Sequence, residues 1–310
     1  MADMIFSGVT FDGGFAITLP PPPSYKAIFG YGYNDSSGRV SMTNLVSNTG
    51  VVANDTAGVG TARNNLAAAG YGTDKGIFGY GYNAGWLSMT NLVSNIGVVG
   101  NDVTGVGTQR TALAATGYGG DKAIFGYGGT SSSTTSVTNL VSNTGVVATD
   151  TTGVGTARSQ LAATGYGASG QAIFGYGTPS MTNLVSNTGV VATDTATVGT
   201  ARYGLAAAGY GTDKAIFGYG DSGAGTYISI TNLVSNTGVV ATNTTGVGTG
   251  RGYLAAARYG TSTAIFGYGS TLASGVSMTN LVSNTGVVAT DTTGVGTTRS
   301  GLAAASYGPT

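Results

Sequence analysis

Short apolar runs of about 5 to 7 residues recur along the chain, closed by glycine, Asn-Thr-Gly or Thr-Asp-Thr, a length and punctuation that belong to strands. Ile-Phe-Gly-Tyr-Gly begins at Ile28, Ile77, Ile124, Ile173, Ile216 and Ile265, at spacings of 49, 47, 49, 43 and 49. Asn-Leu-Val-Ser-Asn begins at Asn44, Asn91, Asn139, Asn183, Asn232 and Asn280, and Gly-Val-Val follows each copy after one residue. A third block ends in Arg63, Arg110, Arg158, Arg202, Arg251 and Arg299 and leads into Leu-Ala-Ala at Leu66, Leu113, Leu161, Leu205, Leu254 and Leu302. Helices are disfavoured, because each interior glycine costs a helix about 1 kcal/mol relative to alanine.

Each unit therefore holds four short strands, which predicts an all-β chain of four-stranded antiparallel blades. The phase of the repeats favours a ring over an open stack. The repeat region opens in mid-unit at Lys26-Ala27-Ile28-Phe29, without a preceding Leu-Ala-Ala strand, and closes with Leu302 to Gly308, a strand lacking its Ile-Phe partner. Pairing the last strand with the first completes six blades and leaves no unpaired sheet end. The fold expected is a six-bladed β-propeller spanning 24–310, with its ring closed by the C-terminal strand.

Strand alternation places Phe29 and Tyr31 on one face and Ile28 and Gly30 on the other, so that bulky faces can seat in bare ones. Twelve of the 18 Tyr and six of the 9 Phe occupy such recurring positions, and are read as core. Residues 1–23 differ in kind. Ser7 to Leu19 reads as a hairpin turned at Asp12-Gly13, with Phe11 on the first strand and Phe15, Ile17 and Leu19 forming an apolar face on the second. Pro20 to Pro23 add a stiff spacer of about 12 Å. An isolated hairpin is marginal in water, so this arm is expected to dock on another protein of an assembly.

The order Arg63, Leu66-Ala-Ala-Ala-Gly-Tyr-Gly, Lys75-Gly-Ile-Phe-Gly-Tyr-Gly81 resembles the kelch repeat over roughly residues 26 to 308. Gly-Tyr-Gly stands where kelch repeats carry a Gly pair, and Val-Val where they carry Trp. The resemblance implies a binding scaffold that recognises partners through its loops. Near-identical Gly/Thr/Ser/Asn-rich units behind a short arm also resemble structural or adhesive proteins of bacteriophage virions, of the tail, nozzle or head-fibre type. That resemblance implies a virion location and neighbours within the particle; the alternative is a free lectin-like or kelch-like module at a cell surface or outside cells.

Composition narrows the chemistry. All 12 acidic residues are Asp, while Glu, His and Cys are absent from the 310 residues. Imidazole bases, thiolates and histidine metal ligands are excluded, so no enzyme, cofactor or metal is expected. Twelve basic residues balance the acids, which gives no footprint for nucleic acid, and no run of about 18 apolar residues suggests membrane insertion. The six Arg are expected to be structural, satisfying buried carbonyls or a neighbouring Asp through five donors. Asp55, Asp102, Asp150, Asp194, Asn243 and Asp291 read as residues that bond their own turns. Gly-Val-Gly before Arg63 lacks the following helix that phosphate binding needs.

The copies disagree between Gly-Tyr-Gly and Asn-Leu-Val, where the loops hold 11, 9, 10, 5, 11 and 10 residues. Insertions at one point of a repeat gather on one face, often the binding face. These loops supply Tyr33, Asn34, Arg39, Tyr82, Asn83, Trp86, Asp221 and Tyr227, the residue types of recognition surfaces. Trp86, the single Trp, is the leading candidate platform for a host-surface sugar or a partner's apolar side chain.

Overall fold

The computed structural model describes residues 26–308, apart from residue 224, so the proposed hairpin with Phe11, Phe15, Ile17 and Leu19 lies outside the described residues. The described chain is all-β, without helix. In the first sheet β1 (Lys26–Gly30) is joined to β4 (Thr43–Val46) by a loop with a small ladder, β2 (Tyr33–Asn34) and β3 (Gly38–Arg39). Next come β5 (Ala67–Tyr71), β6 (Lys75–Tyr82) and β7 (Trp86–Val93), then β8 (Ala114–Tyr118), β9 (Lys122–Gly126) and β10 (Thr138–Val141). The fourth sheet has β11 (Ala162–Tyr166), β12 (Gln171–Tyr176), β13 (Met181–Val185) and β14 (Thr195–Ala196). It is followed by β15 (Ala206–Tyr210), β16 (Lys214–Gly218) and β17 (Thr231–Val234), then by β18 (Ala255–Tyr259), β19 (Thr263–Gly267) and β20 (Thr279–Val282). The last strand, β21 (Ala303–Tyr307), returns to pair with β1, with Lys26 opposite Tyr307 and Gly30 opposite Ala303, as the phase of the repeats requires.

The fourth strand of each unit forms less regularly than expected. Only β14 extends its sheet to four strands; elsewhere isolated bridges such as Val46 to Val52 and Thr43 to Thr56 join the Val-Val segment to the third strand. A bulge is the reason. Ala53 N–H donates to Leu45 O at 2.8 Å and Thr56 N–H to Thr43 O at 2.7 Å, so Asn54 and Asp55 together face the single residue Asn44. The extra residue breaks the ladder and re-aims the Asp side chain.

The expected alternation in Phe-Gly-Tyr also fails. Tyr31 adopts φ 63, and its five counterparts lie between 61 and 65, a left-handed backbone that turns the ring across the strand. Tyr31 consequently packs with Ile28, Leu66 and Phe78 against the following sheet, whereas Phe29 packs with Tyr268 and Ala255 of the preceding one.

Glycine supplies the matching hollows. A Cβ on Gly30 would lie 2.7 Å from Phe78, and Gly79, Gly126, Gly175, Gly218 and Gly267 meet Phe125, Phe174, Phe217, Phe266 and Phe29 in the same way. Contacts between first strands pass from β21 to β5, β8, β11, β15 and β18 and return to β21. At one end of these strands a circuit of backbone hydrogen bonds also returns to its start. Asn65 N–H donates to Gly301 O (2.7 Å), Ala112 to Asn65 (2.7 Å), Gln160 to Ala112 (2.7 Å), Gly204 to Gln160 (2.9 Å), Tyr253 to Gly204 (2.6 Å) and Gly301 to Tyr253 (2.8 Å).

Candidate functional site

The recurring charges are consumed between sheets. Arg251 is fully buried, with Nε donating to Tyr268 O (2.8 Å), Nη1 to Thr249 O (3.2 Å) and Nη2 to Asn280 Oδ1 (2.7 Å). Its guanidinium lies 4.3 Å from the Tyr219 ring centre and 3.8 Å from Asp291. Arg63, Arg110, Arg158, Arg202 and Arg299 take equivalent places over Tyr31, Tyr80, Tyr127, Tyr176 and Tyr268. Burial lowers the arginine pKa values, and the nearby tyrosines and carboxylates oppose that effect.

The Asp residues do not serve their own turns. Asp102 accepts from Thr61 N–H (3.0 Å), Thr61 Oγ1 (2.7 Å) and Asn91 Nδ2 (2.9 Å), which ties its unit to the preceding one across the sheet boundary. Burial works to raise its pKa, but the hydrogen bonds from Thr61 and Asn91 and the Arg63 charge outweigh it and hold the carboxyl low. The bulge accounts for the change of partner, because it points the side chain away from its own backbone. Among the described residues no three carboxylates gather as a metal cluster.

The variable loops all meet the chain just before the first strand of a sheet. Tyr33 bridges Ser300, Tyr82 bridges Asn64, Gly129 bridges Thr111, Thr178 bridges Ser159, Asp221 bridges Tyr203 and Ser270 bridges Gly252. They therefore share the end that carries the hydrogen-bond circuit. Within this end two groups form.

The first group joins Arg39, Tyr82 and Trp86. Tyr82 and Trp86 are cross-strand partners with ring centres 5.4 Å apart at 82°. Arg39 reaches over from the first loop, 4.7 Å from the Tyr82 ring centre, and its Nε donates to Asn64 Oδ1 at 3.1 Å. Asn83 lies in the tight turn between them, its N–H donating to Gly85 O at 3.0 Å. Tyr33 is 38% exposed and pairs with Arg39 in the small ladder. Asn34 faces inward: its Nδ2 donates to Thr298 O (2.8 Å) while its Oδ1 accepts from Ser36 and Ser37 N–H, so it shapes the loop.

The second group brings Asp221 and Tyr227 to Tyr203 and Tyr253. Asp221 bridges Tyr203 on one side and Tyr227 on the other. Tyr203 is raised in pKa first by its hydrogen bond to Asp221; Tyr227 is raised by burial and then by Asp221. Burial, followed by the two other tyrosines and Asp221, pushes Tyr253 up to about 12, against a hydrogen bond from Gln160.

The first strands also line a cavity of about 340 Å³, bordered by Lys75, Lys122, Lys214 and Arg258. Arg258 Nη2 donates to Gly211 O at 2.9 Å and to Thr261 O. Tyr203, Tyr253 and Arg258 escaped the sequence reading, which compared loops rather than single positions. A column-by-column comparison would have found them: Arg258 stands where other copies have Gly or Ser, and Tyr253 where they have Asn, Ala, Gln or Gly. No family model matches the chain, and no curated protein matches it either.

Proposed function

We propose that the six sheets are the blades of a six-bladed β-propeller of kelch-like plan, and that the protein is a non-enzymatic structural or adhesive component of a bacteriophage virion. In this reading residues 1–23 dock it to neighbouring particle proteins, and the variable loops face a host-surface glycan or protein. Circular order is supported by the pairing of β1 with β21, by Phe29 seated at Gly267 and by the hydrogen-bond circuit.

The observation that carries the functional reading is the division of labour between repeated and unrepeated residues. Repeated Arg, Asp, Tyr and Phe are spent on neighbouring sheets, while the differing residues collect at one end and include the Arg39–Tyr82–Trp86 group. Aromatic and Arg side chains so placed suit recognition of a sugar ring or a partner's side chain.

Electron microscopy of native particles, with antibody against this chain, tests the assignment. Labelling at a fixed place on the particle, lost when residues 1–23 are deleted, is expected. A full-length chain found only free of particles would overturn the virion reading in favour of a free lectin-like module. Trp86→Ala is expected to reduce attachment to host cells without lowering Tm; unchanged attachment would remove Trp86 from the site.

A further inference from the structure

Resting on the reading of the loop end as a binding face, the geometry points to Tyr203, Tyr227, Tyr253 and Asp221 as a site for an alkylammonium group. Asp221 is 4% exposed and is the buried carboxylate among the described residues. Asp55, Asp102, Asp194 and Asp291 of the repeats pair with Arg299, Arg63, Arg158 and Arg251, and Asp74 and Asp121 pair with Lys75 and Lys122. Among the described residues no basic side chain forms an ion pair with Asp221. Its neighbours are neutral: Gly223 N–H donates to it at 2.8 Å, and Tyr203 and Tyr227 pair with it on either side. A buried carboxylate without a counter-charge is costly, and a cation brought to it recovers that cost.

The three tyrosines provide the walls. Tyr203, Asp221 and Tyr227 lie side by side across a short ladder, where directly opposed residues share a face. Tyr253 joins from the next sheet and Gln160 from the one before, its Nε2 donating to the Tyr253 phenol at 3.4 Å. Two of the Tyr replace small or polar residues of the other copies: Tyr203 stands in the column of Asn64, Thr111, Ser159, Gly252 and Ser300, and Tyr253 in that of Asn65, Ala112, Gln160, Gly204 and Gly301. Two aromatic replacements and the loop residue Tyr227 thus converge from three stretches of chain beside the buried Asp221. Phenol faces attract cations, and more strongly when these are desolvated. A neutral sugar would stack on the rings but leave the charge of Asp221 uncompensated, and an anion would be repelled.

Choline chloride and n-butylammonium chloride, titrated into the full-length protein at constant ionic strength and followed by tyrosine ring NMR signals, test the site. They distinguish quaternary from primary ammonium sources. Saturable binding is expected for at least one of them and none for 3,3-dimethylbutan-1-ol, the uncharged isostere of choline. Asp221→Asn and Tyr203→Ala are each expected to weaken binding by about tenfold or more. Tyr203→Ala keeps the test decisive should Asp221→Asn unfold, because it removes a partly exposed ring. Equal binding of the neutral isostere, binding indifferent to Tyr203→Ala, or no response to either cation would overturn the assignment. Trp86→Ala is expected to leave ammonium binding intact while reducing host attachment, so loss of the adhesion reading and loss of this site register separately.

Discussion

A guanidinium with no exposed surface is sustained only if its donors are used and its charge answered. At Arg251 three donor nitrogens meet Tyr268 O, Thr249 O and Asn280 Oδ1, a tyrosine face covers the plane, and Asp291 lies at 3.8 Å. Arg251→Leu would leave Asn280 Oδ1 and two carbonyls without donors inside the protein. The expected loss is about 3–5 kcal/mol, measured by urea denaturation. A change below about 1 kcal/mol would show that the guanidinium does not anchor its sheet boundary. The left-handed tyrosines belong to the same arrangement, since only the turned backbone lays Tyr219 under Arg251 while Phe217 faces the other way.

At the scale of the element, the bulge opposite each recurring Asn converts a would-be fourth strand into a clamp on the neighbouring unit. Five clamps use Asp and one uses Asn243, whose Oδ1 accepts from Thr200 N–H at 3.1 Å. Arg202, the arginine beside it, is the one of the six recurring arginines with no carboxylate acting on it. Asn243→Asp should place a charge where the other copies have one and stabilise the protein by about 0.5–1 kcal/mol, the modest value expected of a largely exposed carboxylate. A rise in Tm with unchanged far-UV circular dichroism checks it; a fall in Tm would mean that the Arg202 site is tuned to the neutral amide.

For the whole molecule, charge placement sets the pH range of stability. Asp55, Asp102, Asp150, Asp194 and Asp291 are held below their ordinary value of 3.8, because hydrogen bonds and arginine charge outweigh burial. Their contribution is complete above the unfolded value and disappears as pH falls through the lower folded one. Buried Tyr31, Tyr80 and Tyr268 are pushed from 10.0 up to about 12, so the unfolded chain ionises first and stability declines as pH rises above 10. With His and Cys absent, thermal unfolding should show a plateau between about pH 5 and 9 that drops at both ends. A maximum near neutrality with steep flanks inside that range would contradict this assignment of charges.

The sequence by itself determined the repeats, the strand character of each segment, the glycine hollows that receive Phe and the pairing of the first and last strands of the repeat region. These follow from period and side-chain size, which are local properties visible along one dimension. The tertiary structure alone decided which face each Tyr takes, because a single left-handed residue reverses the alternation that strand logic extends indefinitely. It also decided the partners of the Asp residues, since the bulge exchanges a bond within the turn for one to a residue about 40 positions away, as from Asp102 to Thr61. The group around Asp221 was legible only in part: Asp221 and Tyr227 share a loop, but Tyr203 and Tyr253 are brought to it by strand pairing and sheet order. Periodicity shows what the copies have in common, whereas a site built from their differences exists only where the folded chain brings those differences together.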